Sequence, residues 1–114
     1  MALMPPPLRL PGPNAMQIAA ETTIGALLSD AGLGPVVRRE EMKEEPFSNP
    51  RMPLCVILLN AGPAEIWLYD DTLSYKIGGK GDYLERLDYP SDEAIIAAAS
   101  AAISKALASG SRAI

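Results

Sequence analysis

The fold is decided by residues 54–69, which read LCVILLNAGPAEIWLY. Residues 54–59 form a continuous apolar run, which is typical of a strand buried on both faces. Residues 60–63, Asn-Ala-Gly-Pro, have the composition of a turn. Residues 65–69 are rich in residues that favour strands and predict a second one. This stretch therefore predicts an antiparallel sheet in which residues 54–59 are central and most buried.

The sheet is expected to continue toward the C-terminus. Residues 70–72, Asp-Asp-Thr, suit a turn, and residues 73–77 alternate apolar and polar side chains, which is typical of a half-exposed strand. Residues 78–81, Gly-Gly-Lys-Gly, are interpreted as a loop. Residues 83–89 predict a fourth strand. The sequence thus predicts three or four strands.

An amphipathic helix is expected at residues 14–31. Asn14 is a good N-cap, and Gln17 stands three residues later, as in a capping box. Gln17 is placed outside the apolar stripe, and Gly25 is interpreted as a point of close backbone contact. Gly32 supplies the stop. The apolar stripe, with its residues three, four, seven and eight apart, consists of Met16, Ala19, Ala20, Thr23, Ile24, Leu27, Leu28 and Ala31.

A second helix is expected at residues 91–108. Ser91 is its N-cap, Asp92 and Glu93 lie at the positive end of the helix dipole, and Gly110 is placed at its end. The fold class that follows is α+β, a small, mainly antiparallel sheet of three or four strands packed by an N-terminal and a C-terminal helix.

Residues 36–53 are harder to interpret. They contain the mixed-charge block 38–45, RREEMKEE, and several prolines. The block is typical of a solvated loop, a short helix or an edge strand, and a polar protein-binding loop remains the alternative.

The predicted organisation is an extended arm at residues 1–13, one α+β domain at residues 14–110 and a tail at residues 111–114. Prolines in the arm favour polyproline II and exclude a signal peptide or a membrane span. We expect the arm to dock on another subunit or partner, and its deletion to leave the domain folded. Its apolar contact points are Leu3, Met4, Leu8 and Leu10.

The composition of the chain argues against several classes of function. A net charge of −4 disfavours nucleic-acid binding, which needs a basic face. The chain has no histidine, so the common Ser-His-Asp, Cys-His and zinc arrangements are excluded. Cys55, the only cysteine, is interpreted as a buried apolar residue. We therefore predict no enzyme activity, no catalytic, cofactor-binding or metal residues, and no small-molecule substrate.

Two stretches of the sequence suggest binding motifs that they do not match. Residues 78–81 lack the spacing and the following helix of a phosphate-binding loop. The acidic residues lack the spacing of an EF-hand. Five aromatic residues are candidates for an interaction surface, Trp67 and Tyr69 first among them, although most are interpreted as ordinary strand residues. The five are Trp67, Tyr69, Tyr75, Tyr83 and Tyr89.

The element order resembles the tail-terminator or tail-completion proteins of long-tailed bacteriophages. In both, an amphipathic helix (residues 14–31) is followed by a polar, proline-containing connection (36–53), a strand introduced by Pro53, further strands and a final helix. The resemblance covers most of the chain after the arm and carries over no functional residue. It implies a ring of subunits that caps a tail tube and joins it to the neck.

Two functions follow as expectations. The first is a self-assembling structural protein, whose partners are copies of itself and neighbouring structural proteins, with a location in the virion. The second is a monomeric acidic binding protein in the cytoplasm, such as an immunity protein, an inhibitor or a secretion chaperone. The sequence leaves open whether the arm docks on its own chain or on another.

Overall fold

The computed structural model describes residues 12–44 and 53–111. The predicted α+β class is confirmed. The elements, in chain order, are helix α1 (Ala15–Asp30), strands β1 (Val37–Glu44), β2 (Pro53–Ala61), β3 (Ala64–Leu68), β4 (Thr72–Ile77) and β5 (Lys80–Glu85), a 3₁₀ turn (Arg86–Asp88) and helix α2 (Asp92–Ser111).

The strands form one sheet in the order β1-β2-β3-β4-β5, and every neighbouring pair is antiparallel. Both helices contact the sheet and each other, and their buried residues belong to one apolar core. The described part of the chain is therefore a two-layer structure with helices on one face of the sheet. Five strands replace the predicted three or four.

The additional strand is β1, which comes from the mixed-charge block. It is an edge strand, one of the forms that the sequence left open, and its residues from Val37 to Glu44 pair with Asn60 to Pro53 of β2. Charged side chains suit an edge, because they discourage pairing with a further strand. The predicted central strand becomes β2, which is paired on both sides, while the middle strand is β3.

The last strand was predicted too late in the chain. Residues 83–89 were expected to form it, but β5 begins at Lys80, and residues 86–88 form the 3₁₀ turn. The Gly-Gly-Lys-Gly loop shortens to a turn at Gly78 and Gly79, both with positive φ. Glycine adopts this backbone without the steric cost that other residues pay.

Helix α1 begins as predicted. Asn14 caps it, and the capping box with Gln17 is present. Two details were wrong. Beyond its own turn of the helix, Gly25 has no described atom within 4 Å of the position where a Cβ would stand, so it makes no close contact with another element. Gln17 is 1% exposed, and is therefore part of the buried face rather than outside it.

Helix α2 is also confirmed, although it continues to Ser111 and so passes the predicted stop at Gly110. The Ser91 hydroxyl accepts a hydrogen bond from the Ala94 N–H at 3.1 Å, as an N-cap should. Within residues 12–44 and 53–111, neither helix is long and apolar enough to cross a membrane.

The core lies between the helices and one face of the sheet. It is built from both helices and from β2, β3 and β4; its largest fully buried members are Ile24, Leu28, Ile57, Ile66, Leu68, Leu73, Ile95 and Ile103. The predicted arm lies almost entirely outside the described residues.

Candidate functional site

The face of the sheet opposite the helices is the candidate site. Arg38 of β1 forms an ion pair with Glu21 of α1, with Nε and Oε2 2.8 Å apart, so Arg38 and its paired residue Leu59 face the helices. Because side chains alternate along a strand, Arg39 and its partner Leu58 face the other way. We call this second side the open face and define it by Val37, Arg39, Leu58, Glu65, Trp67 and Tyr83.

The strand register places these side chains in two rows across the sheet. The first row contains the aromatic residues and runs, from β1 to β5, through Arg39, Leu58, Trp67, Ser74 and Tyr83. The second row is more polar and runs through Val37, Asn60, Glu65, Lys76 and Gly81. Trp67 therefore stands on the middle strand, at the centre of the first row.

Two shallow grooves flank Trp67. The first groove lies over β1, β2 and β3, has a volume of about 380 Å³ and is lined by Val37, Arg39, Leu58, Asn60, Glu65 and Trp67, among others. The second groove lies over β3, β4 and β5, has a volume of about 410 Å³ and is lined by Trp67, Ser74, Lys76, Gly81 and Tyr83, among others. The indole ring thus separates two depressions of similar size.

Apolar and charged groups are mixed on the open face. Val37 is 54% exposed and Tyr83 is 60% exposed, while Leu58 and Trp67 are half-buried. Glu65 and Lys76 occupy paired positions and carry opposite charges. A large aromatic residue surrounded by polar groups is typical of protein-binding surfaces.

The position of Trp67 depends on the attachment of α1 to the end of the sheet. The Gln17 amide nitrogen donates hydrogen bonds to the carbonyl oxygens of Cys55 and Leu68, both at 2.8 Å. Cys55 precedes the part of β2 that pairs with β3, and Leu68 ends β3. Gln17 therefore joins the two strands where their own pairing stops, one residue beyond Trp67.

Asn14 attaches α1 to the same end of the sheet through an exposed hydrogen bond. Its side-chain nitrogen donates to the Asp70 carbonyl oxygen at 2.8 Å, in the turn between β3 and β4. Its main-chain N–H donates to Gln17 Oε1 at 2.8 Å. The start of the described chain is therefore held at the end of the sheet where β3 ends and the turn to β4 begins.

The helix side carries perturbed titratable groups. Hydrogen bonds to Glu21 and then to Glu40 raise the pKa of the Arg38 guanidinium. Burial raises the pKa of the Cys55 thiol, with a smaller contribution from Glu40. Burial, followed by the Asp82 charge, raises the pKa of Tyr75 in a groove of about 400 Å³ between β5 and α2. None of these groups lies on the open face.

The structure brings together only some of the residues singled out in the sequence. Trp67 is the centre of the open face, whereas half-buried Tyr69 lies beyond β3, where its N–H donates to the Thr72 carbonyl at 2.9 Å. The arm residues Leu3, Met4, Leu8 and Leu10 lie outside the described part of the chain.

Tyr83 was among the aromatic candidates, but sequence reasoning missed Val37, Arg39 and Leu58 as members of this face. Their only signal was alternation along each strand, and alternation cannot tell which strands lie side by side. Over residues 12–44 and 53–111, no group of three or more His, Cys, Asp or Glu residues is arranged to hold a metal ion.

Comparisons of the chain with protein-family models, with curated proteins and with solved structures found no match.

Proposed function

We propose that this chain is a non-enzymatic structural protein that self-associates, and that the open face is its contact surface. The observation that carries the proposal is the row Leu58, Trp67 and Tyr83, which lies on the side of the sheet that neither helix covers. Tryptophan and tyrosine bury a large area and lose little side-chain entropy, so they often dominate binding energy.

The composition of the face supports a protein partner. Interfaces combine an apolar centre with a polar rim, in which charges provide specificity. On the open face, Trp67 and Leu58 occupy the centre, while Arg39, Glu65 and Lys76 surround them. Because both signs of charge are present, two copies of the same face or another balanced surface can be accommodated.

Association through the strand edges is less favourable. At one edge, β1 carries Arg38, Arg39, Glu40, Glu41 and Lys43. Charged side chains along an edge discourage strand-to-strand pairing with another chain. The face is therefore a better candidate than the β1 edge.

The finer proposal is that the assembly is part of a phage tail or neck, with this chain as a tail-terminator ring subunit in the virion. It rests on the order of the elements, which begins with an N-terminal helix and ends with a C-terminal one around consecutive strands. Its partners would be copies of the chain and neighbouring structural proteins.

The molar mass in solution tests self-association. We expect the full chain to reach a multiple of 12.1 kDa as its concentration rises, and Trp67→Ala to move this transition to higher concentration. Leu87→Ser is the matched control, because Leu87 is 91% exposed on the 3₁₀ turn, away from the open face. A mass of 12.1 kDa at every concentration, measured by light scattering, would refute self-association.

The second candidate is a monomeric acidic binder of a basic protein. It is favoured by a net charge of −4 and by acidic residues in and after the β3–β4 turn and in the 3₁₀ turn, among them Asp71 and Asp88. The Arg86 N–H donates to the Asp71 carbonyl at 2.8 Å, and its Nε lies 2.6 Å from Asp92 Oδ1. Neutralising Asp71 and Asp88 would weaken binding to a basic partner and leave the molar mass unchanged. Trp67→Ala would change neither this binding nor the molar mass.

The absence of enzyme activity is also open to test. We expect no turnover in a broad screen of hydrolase and transferase substrates. Reproducible turnover that is lost on replacing one particular Asp or Glu would overturn this part of the proposal.

A further inference from the structure

We propose that the open face receives the N-terminal arm of a second copy of the chain, with the apolar residues of the arm in the two grooves beside Trp67. The inference rests on the proposed self-association and names the segment that produces it. Four large apolar residues, Leu3, Met4, Leu8 and Leu10, stand in the arm within eight consecutive positions.

The arm has two apolar pairs, and the open face has two grooves. Pro5, Pro6 and Pro7 separate the apolar pair Leu3 and Met4 from the pair Leu8 and Leu10. An arm in polyproline II, which rises about 3.1 Å per residue, would place the centres of the two pairs ~17 Å apart. This distance is within the width of the five-stranded sheet, so an arm that crosses the sheet would place one pair on each side of Trp67.

The arm is also long enough. Residues 1–11 would extend over ~34 Å in the same conformation, whereas the distance from β1 to β5 is four strand spacings, or ~19 Å. The one charged residue of the arm, Arg9, is positive, and the open face offers Glu65 in the first groove. Prolines reduce the entropy that the arm loses on docking.

The point at which the arm leaves the domain favours a second copy over its own chain. The hydrogen bond from Asn14 to the Asp70 carbonyl holds the start of α1 at the end of the sheet, on the helix side. To reach the open face of its own domain, the chain must reverse around that end. A second copy accepts the arm without this bend.

Trp67 is the only tryptophan of the chain and reports directly on the proposed site. The test uses protein lacking residues 1–11, which keeps Gly12 and Pro13 ahead of the cap, and a synthetic peptide of residues 1–13. Adding the peptide should shift Trp67 emission to shorter wavelength with saturation. A control peptide with serine at Leu3, Met4, Leu8 and Leu10 should bind at least about tenfold more weakly.

The second part of the experiment compares the full-length chain with the truncated protein. It should associate with increasing concentration, and the truncated protein should remain a monomer. Tyr83→Ala, at an exposed position of the second groove, should weaken both peptide binding and association, while Leu87→Ser changes neither.

The remaining outcomes separate failure of this inference from failure of the proposed function. If the truncated protein associates as well as the full chain and the peptide leaves Trp67 emission unchanged, the chain self-associates but the arm is not responsible. If the full chain is monomeric while the peptide still binds, the arm docks on its own chain and exchange between copies is refuted. If the chain is monomeric and the peptide does not bind, both proposals fail.

Discussion

Gln17 is the only polar residue among those described that is buried as a whole, and its side-chain oxygen and nitrogen are both hydrogen-bonded. Its amide nitrogen donates to two strand carbonyls, and its oxygen accepts from the Asn14 N–H. A glutamine at the third position of a helix usually serves only the capping box. Here the same side chain also joins the Cys55 and Leu68 carbonyls at the end of the β2–β3 pairing, whose last pair is Ile57 and Leu68.

Replacing Gln17 tests this at the residue scale. Gln17→Ala should lower the free energy of unfolding by about 2–4 kcal/mol, because buried carbonyls lose their donors and each such loss costs about 1–3 kcal/mol. Urea denaturation with an unchanged slope is the measurement. Thr22→Ala is the control on the same helix, since its exposed hydroxyl bonds only the Ile18 carbonyl, at 3.1 Å. Equal stability of the two variants would contradict the assigned role of Gln17.

Cys55 should be protected in the folded protein. Burial raises the pKa of its thiol, so the reactive thiolate is scarce at neutral pH and the sulfur is inaccessible. A thiol reagent should label it slowly in the native state and fast in concentrated urea. The folded state holds this proton more tightly than the unfolded state. The resulting stability is complete below the unfolded pKa, about 8.5, and is lost as the pH rises through the folded value.

The pH dependence has its own control. Cys55→Ala should lower stability at neutral pH by loss of packing, but it should flatten the decline above about pH 8.5. An unchanged alkaline slope in the variant would show that other groups, such as Tyr75, account for the decline.

At the element scale, β1 explains how a highly charged segment becomes a strand. Arg38 and Glu40 face the helices, where the Arg38 guanidinium pairs with Glu21 of α1 and with Glu40. Arg39 and Glu41 face the other way and pair with each other at 3.4 Å. Each face of the strand thus has an ion pair of its own. Such exposed pairs contribute little stability individually, so pairing with β2 is the main attachment of β1.

Two glycines should respond in opposite directions to a methyl group. Gly25 has open space around its missing Cβ, so Gly25→Ala should stabilise α1 by about 0.5–1 kcal/mol. Gly62 has φ +56°, and a Cβ would lie 3.0 Å from the Leu33 carbonyl oxygen. Gly62→Ala should therefore destabilise the protein by at least about 1–2 kcal/mol. The measurement is the thermal unfolding midpoint of each variant, and each variant serves as the control of the other.

At the scale of the whole molecule, the domain should fold without its arm. Deleting residues 1–11 leaves the Asn14 cap, the capping box and the Asp70 contact intact. We expect the free energy of unfolding to change by less than about 0.5 kcal/mol. Asn14→Ala in the truncated protein is the control and should cost about 1–2 kcal/mol. Unfolding on truncation would place the arm within its own core.

The sequence by itself determined the local elements, because capping, turn residues and periodicity act over a few positions. The Asn14 cap, the Ser91 cap and the strand beginning at Pro53 needed no tertiary information. Only the tertiary structure decided the rest. Burial of Gln17 depends on two carbonyls 38 and 51 residues away. The charged block became a strand because β2 offered a partner, and the open face arose because both helices pack on the other side. These outcomes depend on contacts between distant residues, which no local pattern records.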